Sequence, residues 1–118
     1  MDRRKELKLA YKHNPPLAGV FQIKNLVNGK ILLGSGIDVR GILNGQQAQL
    51  KFKAHRNKAL QQDWNEYGPD QFSFEVLEYL KPGDDPDYDV RGDLDVLEEL
   101  WLEKLEPYGD KGYNKKKP

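Results

Sequence analysis

Over residues 18–24 the chain alternates with a period of two, Phe21 and Ile23 falling on one side and Val20, Gln22 and Lys24 on the other. That is the pattern of a half-buried strand. Residues 25–30 contain Asn28-Gly29, a turn dipeptide whose two members tolerate positive φ. Ile31, Leu32 and Leu33 then make a second short strand, closed by Gly34-Ser35-Gly36. A hairpin over 19–34 follows. Asp38 can cap a helix carrying Val39, Ile42, Leu43, Leu50 and Phe52, in which Gly41 and Gly45 each cost about 1 kcal/mol relative to alanine. Residues 57–67 predict a second helix, with Leu60, Trp64 and Tyr67 on one face and Gly68 as its stop.

Alternation returns over 71–80, with Phe72, Phe74 and Val76 opposite Ser73, Glu75 and Leu77, which gives a third strand. Residues 81–93 are rich in proline, glycine and aspartate and read as a solvated loop, followed by a last helix over 94–106. Upstream, 2–13 reads as a solvated helix ended by Asn14-Pro15-Pro16, since proline fixes φ and disfavours helix in the residue before it. The expected organisation is a helical extension over 1–17, one domain over 18–114 and a basic tail over 115–118.

Composition adds limits. The chain has 118 residues, 37% apolar and 32% charged, which fits one small globular domain. It has no apolar run of about 18 residues, its N-terminus is charged throughout, and it lacks cysteine. A cytoplasmic protein with no membrane partner, no disulfide and no thiolate metal site is expected. The formal charge of zero conceals an asymmetry: residues 1–62 hold twelve Lys and Arg against Asp2, Glu6 and Asp38, whereas 63–118 hold seven against sixteen acids. Either one face suits phosphates, or the halves fold together and their charges intermix.

On a helical wheel of the last helix, Leu94, Leu97, Trp101, Leu102 and Leu105 form a stripe, and Glu98 falls within it, about 40° from Leu94. Glu99, Glu103 and Glu106 point elsewhere. An ionised carboxylate in such a stripe is costly unless it is paired or binds a cation. Glu98 therefore reads as a metal ligand or catalytic acid or base, or else as an edge position reaching solvent or a partner of Lys or Arg.

Gly19-Val20-Phe21, ten intervening residues and Leu32-Leu33-Gly34 resemble the motif of the GIY-YIG nucleases. The likeness continues through Gln22-Ile23-Lys24-Asn25, Asn28-Gly29-Lys30, His55-Arg56-Asn57-Lys58, Trp64-Asn65-Glu66-Tyr67-Gly68, Phe72-Ser73-Phe74-Glu75-Val76-Leu77, Glu98 with Trp101, and Gly112-Tyr113-Asn114. It follows the homing-endonuclease spacing. The resemblance implies an α/β (α+β) fold: a three-stranded antiparallel sheet, the first hairpin strand central, flanked by helices. It also implies DNA cleavage with one Mg²⁺ (or Mn²⁺), a tyrosine assisting the attacking water, an arginine on the phosphate and a glutamate on the metal.

Carried over residue by residue, Glu98 matches the metal ligand, His55 a histidine of the homing-endonuclease branch, and Asn114 the asparagine of the final motif. Phe21 and Leu32 replace the two tyrosines, Ile42 the arginine, and Gln46 a histidine on the same helix. Arg40 lies two residues from Ile42, so on a helix it faces the opposite way. Lys30, Arg40, Lys53, Arg56 and Lys58 are candidate contacts to a nucleic-acid backbone, or ordinary surface charge. His55 either serves the site or caps the helix after it. The expected function is nucleic-acid binding, DNA over RNA, with hydrolysis weak or lost. The alternatives are an active endonuclease with Glu98 on Mg²⁺ and His55 as base, and a protein-interaction module using the acidic loop 83–93.

Overall fold

In the computed structural model, which describes residues 16–81 and 87–116, β1 (Gly19–Asn25) lies between β2 (Ile31–Gly36) and β3 (Phe72–Tyr79) in one antiparallel sheet. The α+β architecture and the central first strand are as expected. The half-buried reading of β1 is corrected: Val20 and Ile23, on opposite sides of the strand, are both fully buried. A central strand is covered on both faces, and its own alternation cannot reveal the second cover.

The hairpin register pairs Phe21 with Gly34 and Ile23 with Leu32. Its turn uses positive φ at Gly29 (79°) and not at Asn28. The Asn28 side-chain oxygen instead accepts from Lys30 N–H, and that of Asn25 accepts from Val27 N–H. Asn28-Gly29 thus works as an Asx-braced turn, not as a pair of left-handed residues.

Helices α1 (Val39–Lys51), α2 (Lys58–Tyr67) and α3 (Val90–Leu105) complete the described domain. All three start alike, and at α2 the Asn57 side chain accepts from Leu60 N–H. The Asp38 carboxylate accepts from Gly41 N–H, and the Asp89 carboxylate accepts from Gly92 N–H. A Cβ at either glycine would collide with the capping carboxylate. Gly41, read as a weak point in a helix, leaves room for the Asp38 carboxylate to lie close against it. The same device starts α3 at Val90, earlier than the expected 94, so the end of the expected acidic loop 83–93 is helix. The rest of that loop falls partly at 82–86, and the N-terminal helix over 2–13, both outside the described residues.

Side chains alternate across the sheet, so Phe21, Ile23, Leu32, Phe74 and Val76 share one face. There they pack with Val39, Leu43 and Leu50 of α1, Leu60 and Trp64 of α2, and Tyr113. The other face, with Ser35 and Glu78, meets α3. Phe52, expected in the helical stripe, is 82% exposed, because α1 ends at Lys51 and the chain turns through Lys53 at φ 59°. Among the described residues no helix is long and apolar enough to cross a membrane.

Candidate functional site

On the face shared with α1, the Phe21 ring lies over Gly34, where a Cβ would meet it at 2.5 Å. The Ile42 side chain likewise occupies the space over Gly36. Leu32 packs against the core beside them. The two glycines of β2 therefore admit apolar groups from β1 and α1, and all three positions are filled by hydrocarbon.

His55 is buried at the corner between α1 and α2, and its ring makes two hydrogen bonds. Nδ1 accepts from Asn57 N–H at 3.0 Å, and Nε2 faces Gln46 Oε1. Because Nδ1 accepts, the proton belongs on Nε2, which donates to Gln46. Burial, the dominant cause, and the neighbouring Arg56 charge lower the imidazole pKa. Gln46 thus has a structural partner. Gln61 completes the corner: its Oε1 accepts from His55 N–H, and its Nε2 donates to the Leu50 carbonyl.

Glu98 is half-buried and turned toward the sheet, as the wheel requires. Its carboxylate accepts from Ser35 Oγ–H at 2.6 Å. Asn114 clamps the free edge of β2, its Oδ1 accepting from Leu33 N–H and its Nδ2 donating to Leu33 C=O. Glu98 and Asn114 line one open hollow of about 1000 Å³ whose rim carries more carboxylates (Asp95, Glu99, Glu103, Glu106 and Asp110) than lysines. Arg40 lies elsewhere. Its Nε donates to Tyr79 Oη on β3, at the sheet edge opposite β2, and it borders a second hollow with Asn44 and Gln47. It does not stand in for the position of Ile42.

Lys53, Arg56 and Lys58 are exposed around the α1–α2 corner. Lys30 is half-buried, its Nζ 5.8 Å from the centre of the Tyr113 ring. Beneath it lies a network that sequence reasoning missed. Asn25 Nδ2 donates to Tyr113 Oη, which donates to Asp63 Oδ2 at 2.7 Å, while Asn57 Nδ2 donates to the Tyr113 carbonyl. Burial, above all, raises the Tyr113 phenol pKa. The only signal in the sequence was the presence of Asn25 and Tyr113 in the shared motifs, which does not reveal that they meet.

No family model matches the sequence. Among solved structures, the catalytic domain of homing endonuclease I-TevI superposes with a TM-score of 0.66 at 25% identity, covering 85% of this chain and 99% of that one. A mutant of the same domain, described as an intron endonuclease, gives 0.61 at 25% identity over 83% and 92%. This is the GIY-YIG catalytic-domain fold.

GIY-YIG endonucleases, which share this fold, generally depend on a divalent metal. Mg²⁺ is commonly held by one or two carboxylates, completed by water and substrate phosphate oxygens. Among the described residues no group of three or more His, Asp or Glu is arranged to hold an ion. Glu98, half-exposed in an open, largely acidic hollow with one oxygen on Ser35, could give an ion one carboxylate but not an all-protein cage.

Proposed function

We propose that this GIY-YIG-fold protein binds nucleic acid, DNA in preference to RNA, and that its phosphodiester hydrolysis is weak or lost. The observation that carries this reading is that hydrocarbon fills all three positions, with Phe21 over Gly34, Ile42 over Gly36 and Leu32 against the core. It supplies neither a hydroxyl to help deprotonate water nor a guanidinium to hold a phosphate. General-base assistance alone is worth about 10²- to 10⁴-fold. His55 is no ready substitute, since one ring nitrogen accepts from the backbone and the other serves Gln46.

Binding is supported by charge. Lys51, Lys53, Arg56 and Lys58 are all exposed around the α1–α2 corner, and residues 39–62 contain no acid. Such a surface attracts a phosphate backbone and releases counterions on contact. Glu98 is the side chain that would hold Mg²⁺ or Mn²⁺, an ion that would neutralise phosphate charge there.

Titrating labelled single- and double-stranded DNA at two salt concentrations tests the binding reading. Affinity that falls steeply with salt is expected, and absence of binding at low salt would refute it. The competing reading, an active endonuclease, is favoured by the half-exposed Glu98 carboxylate in its hollow. It requires cleavage that depends on Glu98.

A further inference from the structure

Phe52 is the most exposed large apolar residue of the described chain, at 82%, although it directly follows an amphipathic helix. Lys51 and Lys53, on either side of it, are also exposed. A bare ring between two cations has no counterpart among the other exposed apolar side chains, none of which exceeds 58%.

The corner that presents this ring is firmly built. Phe52 N–H closes α1 on the Ala48 carbonyl, Lys53 N–H bonds the Leu50 carbonyl, and Ala54 N–H bonds the Gln49 carbonyl. Gln61 ties the Leu50 carbonyl to His55 N–H, so α2 braces the end of α1 from below. Lys53 adopts φ 59°, the left-handed region that glycine occupies at no steric cost, yet the residue is lysine. An exposed aromatic, flanking cations and a braced backbone are the parts of a base-stacking surface: the ring meets the face of a base and the ammonium groups meet adjoining phosphates.

We propose that Phe52, with Lys51 and Lys53, is a stacking platform for a base in an unpaired stretch of nucleic acid. This rests on the nucleic-acid reading above and adds to it a preference for single-stranded, frayed or branched substrates. A base inside a continuous duplex keeps its face against its neighbours and cannot reach the ring. An unpaired base can. The hydroxyl-poor surface at Phe21, Leu32 and Ile42 takes no part.

The test compares a labelled oligothymidylate with a labelled abasic strand of equal length, by fluorescence anisotropy at low salt. The two carry the same phosphates and differ only in bases. Wild-type protein is expected to bind the oligothymidylate more tightly. Phe52→Ala is expected to weaken that binding about tenfold, leave the abasic strand unchanged and keep the wild-type melting temperature. Phe52→Trp restores the affinity, since any flat ring serves. If Phe52→Ala holds oligothymidylate as tightly as wild type, the platform is overturned while the nucleic-acid reading stands. If wild-type protein binds neither these strands nor duplex at low salt, the broader reading fails and the platform with it.

Discussion

Ser35 donates a 2.6 Å hydrogen bond to the Glu98 carboxylate, joining the end of β2 to the middle of α3. The bond explains how an acid tolerates an apolar stripe: its oxygen finds a hydroxyl on the sheet instead of a cation on a neighbouring helix. A bond to a charged acceptor contributes about 1.5–3 kcal/mol when well shielded, and less where water reaches it. Ser35→Ala should therefore cost about 1 kcal/mol in urea unfolding. Glu98→Leu added to Ser35→Ala should recover most of that loss, because the contact becomes apolar on both sides. Strictly additive losses would show that the two side chains are not coupled.

Tyr113→Phe should be more damaging. It removes the acceptor for the fully buried Asn25 amide and the donor to Asp63. An orphaned buried donor costs about 1–3 kcal/mol, so a loss near 2 kcal/mol is expected by chemical denaturation. The raised phenol pKa sets a pH dependence as well. The folded state favours the protonated phenol, so its contribution is complete below the unfolded value of 10.0 and is lost as pH rises above it. Unfolding midpoints measured across the alkaline range should fall, and fall less in Tyr113→Phe.

His55 works in the other direction. Burial holds its folded pKa below 6.5, so the neutral ring stabilises the fold above that pH and the benefit is lost as pH falls below it. Urea midpoints at pH 7.5 and 5.5 should differ in wild type and converge in His55→Gln. Nitrogen NMR should find the proton on Nε2, as the bond from Asn57 N–H to Nδ1 requires. A proton on Nδ1 would contradict this account of the corner.

Lys53 sets stability against function. Its left-handed backbone costs about 1–2 kcal/mol relative to a residue without Cβ. Lys53→Gly should recover up to about 1 kcal/mol, the rest being offset by glycine's greater freedom in the unfolded chain. The same variant should bind oligothymidylate more weakly and with a shallower salt dependence. Unchanged stability would indicate that the turn is unstrained.

Much of this fold was legible because its signals are local. The hairpin rests on a period of two around an Asn-Gly turn, α2 on the shared face of Leu60 and Trp64 with Gly68 as its stop, and the inward turn of Glu98 on helical spacing alone. What stayed hidden depends on contacts distant in sequence. Leu33 and Asn114 are 81 residues apart, and nothing in either neighbourhood announces that one amide clamps the other's backbone. The double burial of β1 follows from sheet order, and the exposure of Phe52 from a helix that stops one residue before it. At the candidate site, the substitutions at Phe21, Leu32 and Ile42 could be read from sequence, but the occupation of His55 by Gln46 and Asn57 required the fold.

The central claim is that a nuclease scaffold is retained here with hydrolysis weak or lost. Incubating the purified protein with supercoiled and branched DNA in Mg²⁺ or Mn²⁺, beside Glu98→Ala, tests it most directly. The expected result is that the DNA stays intact, or is nicked equally slowly by both proteins. Nicking by the wild type that Glu98→Ala abolishes would contradict it.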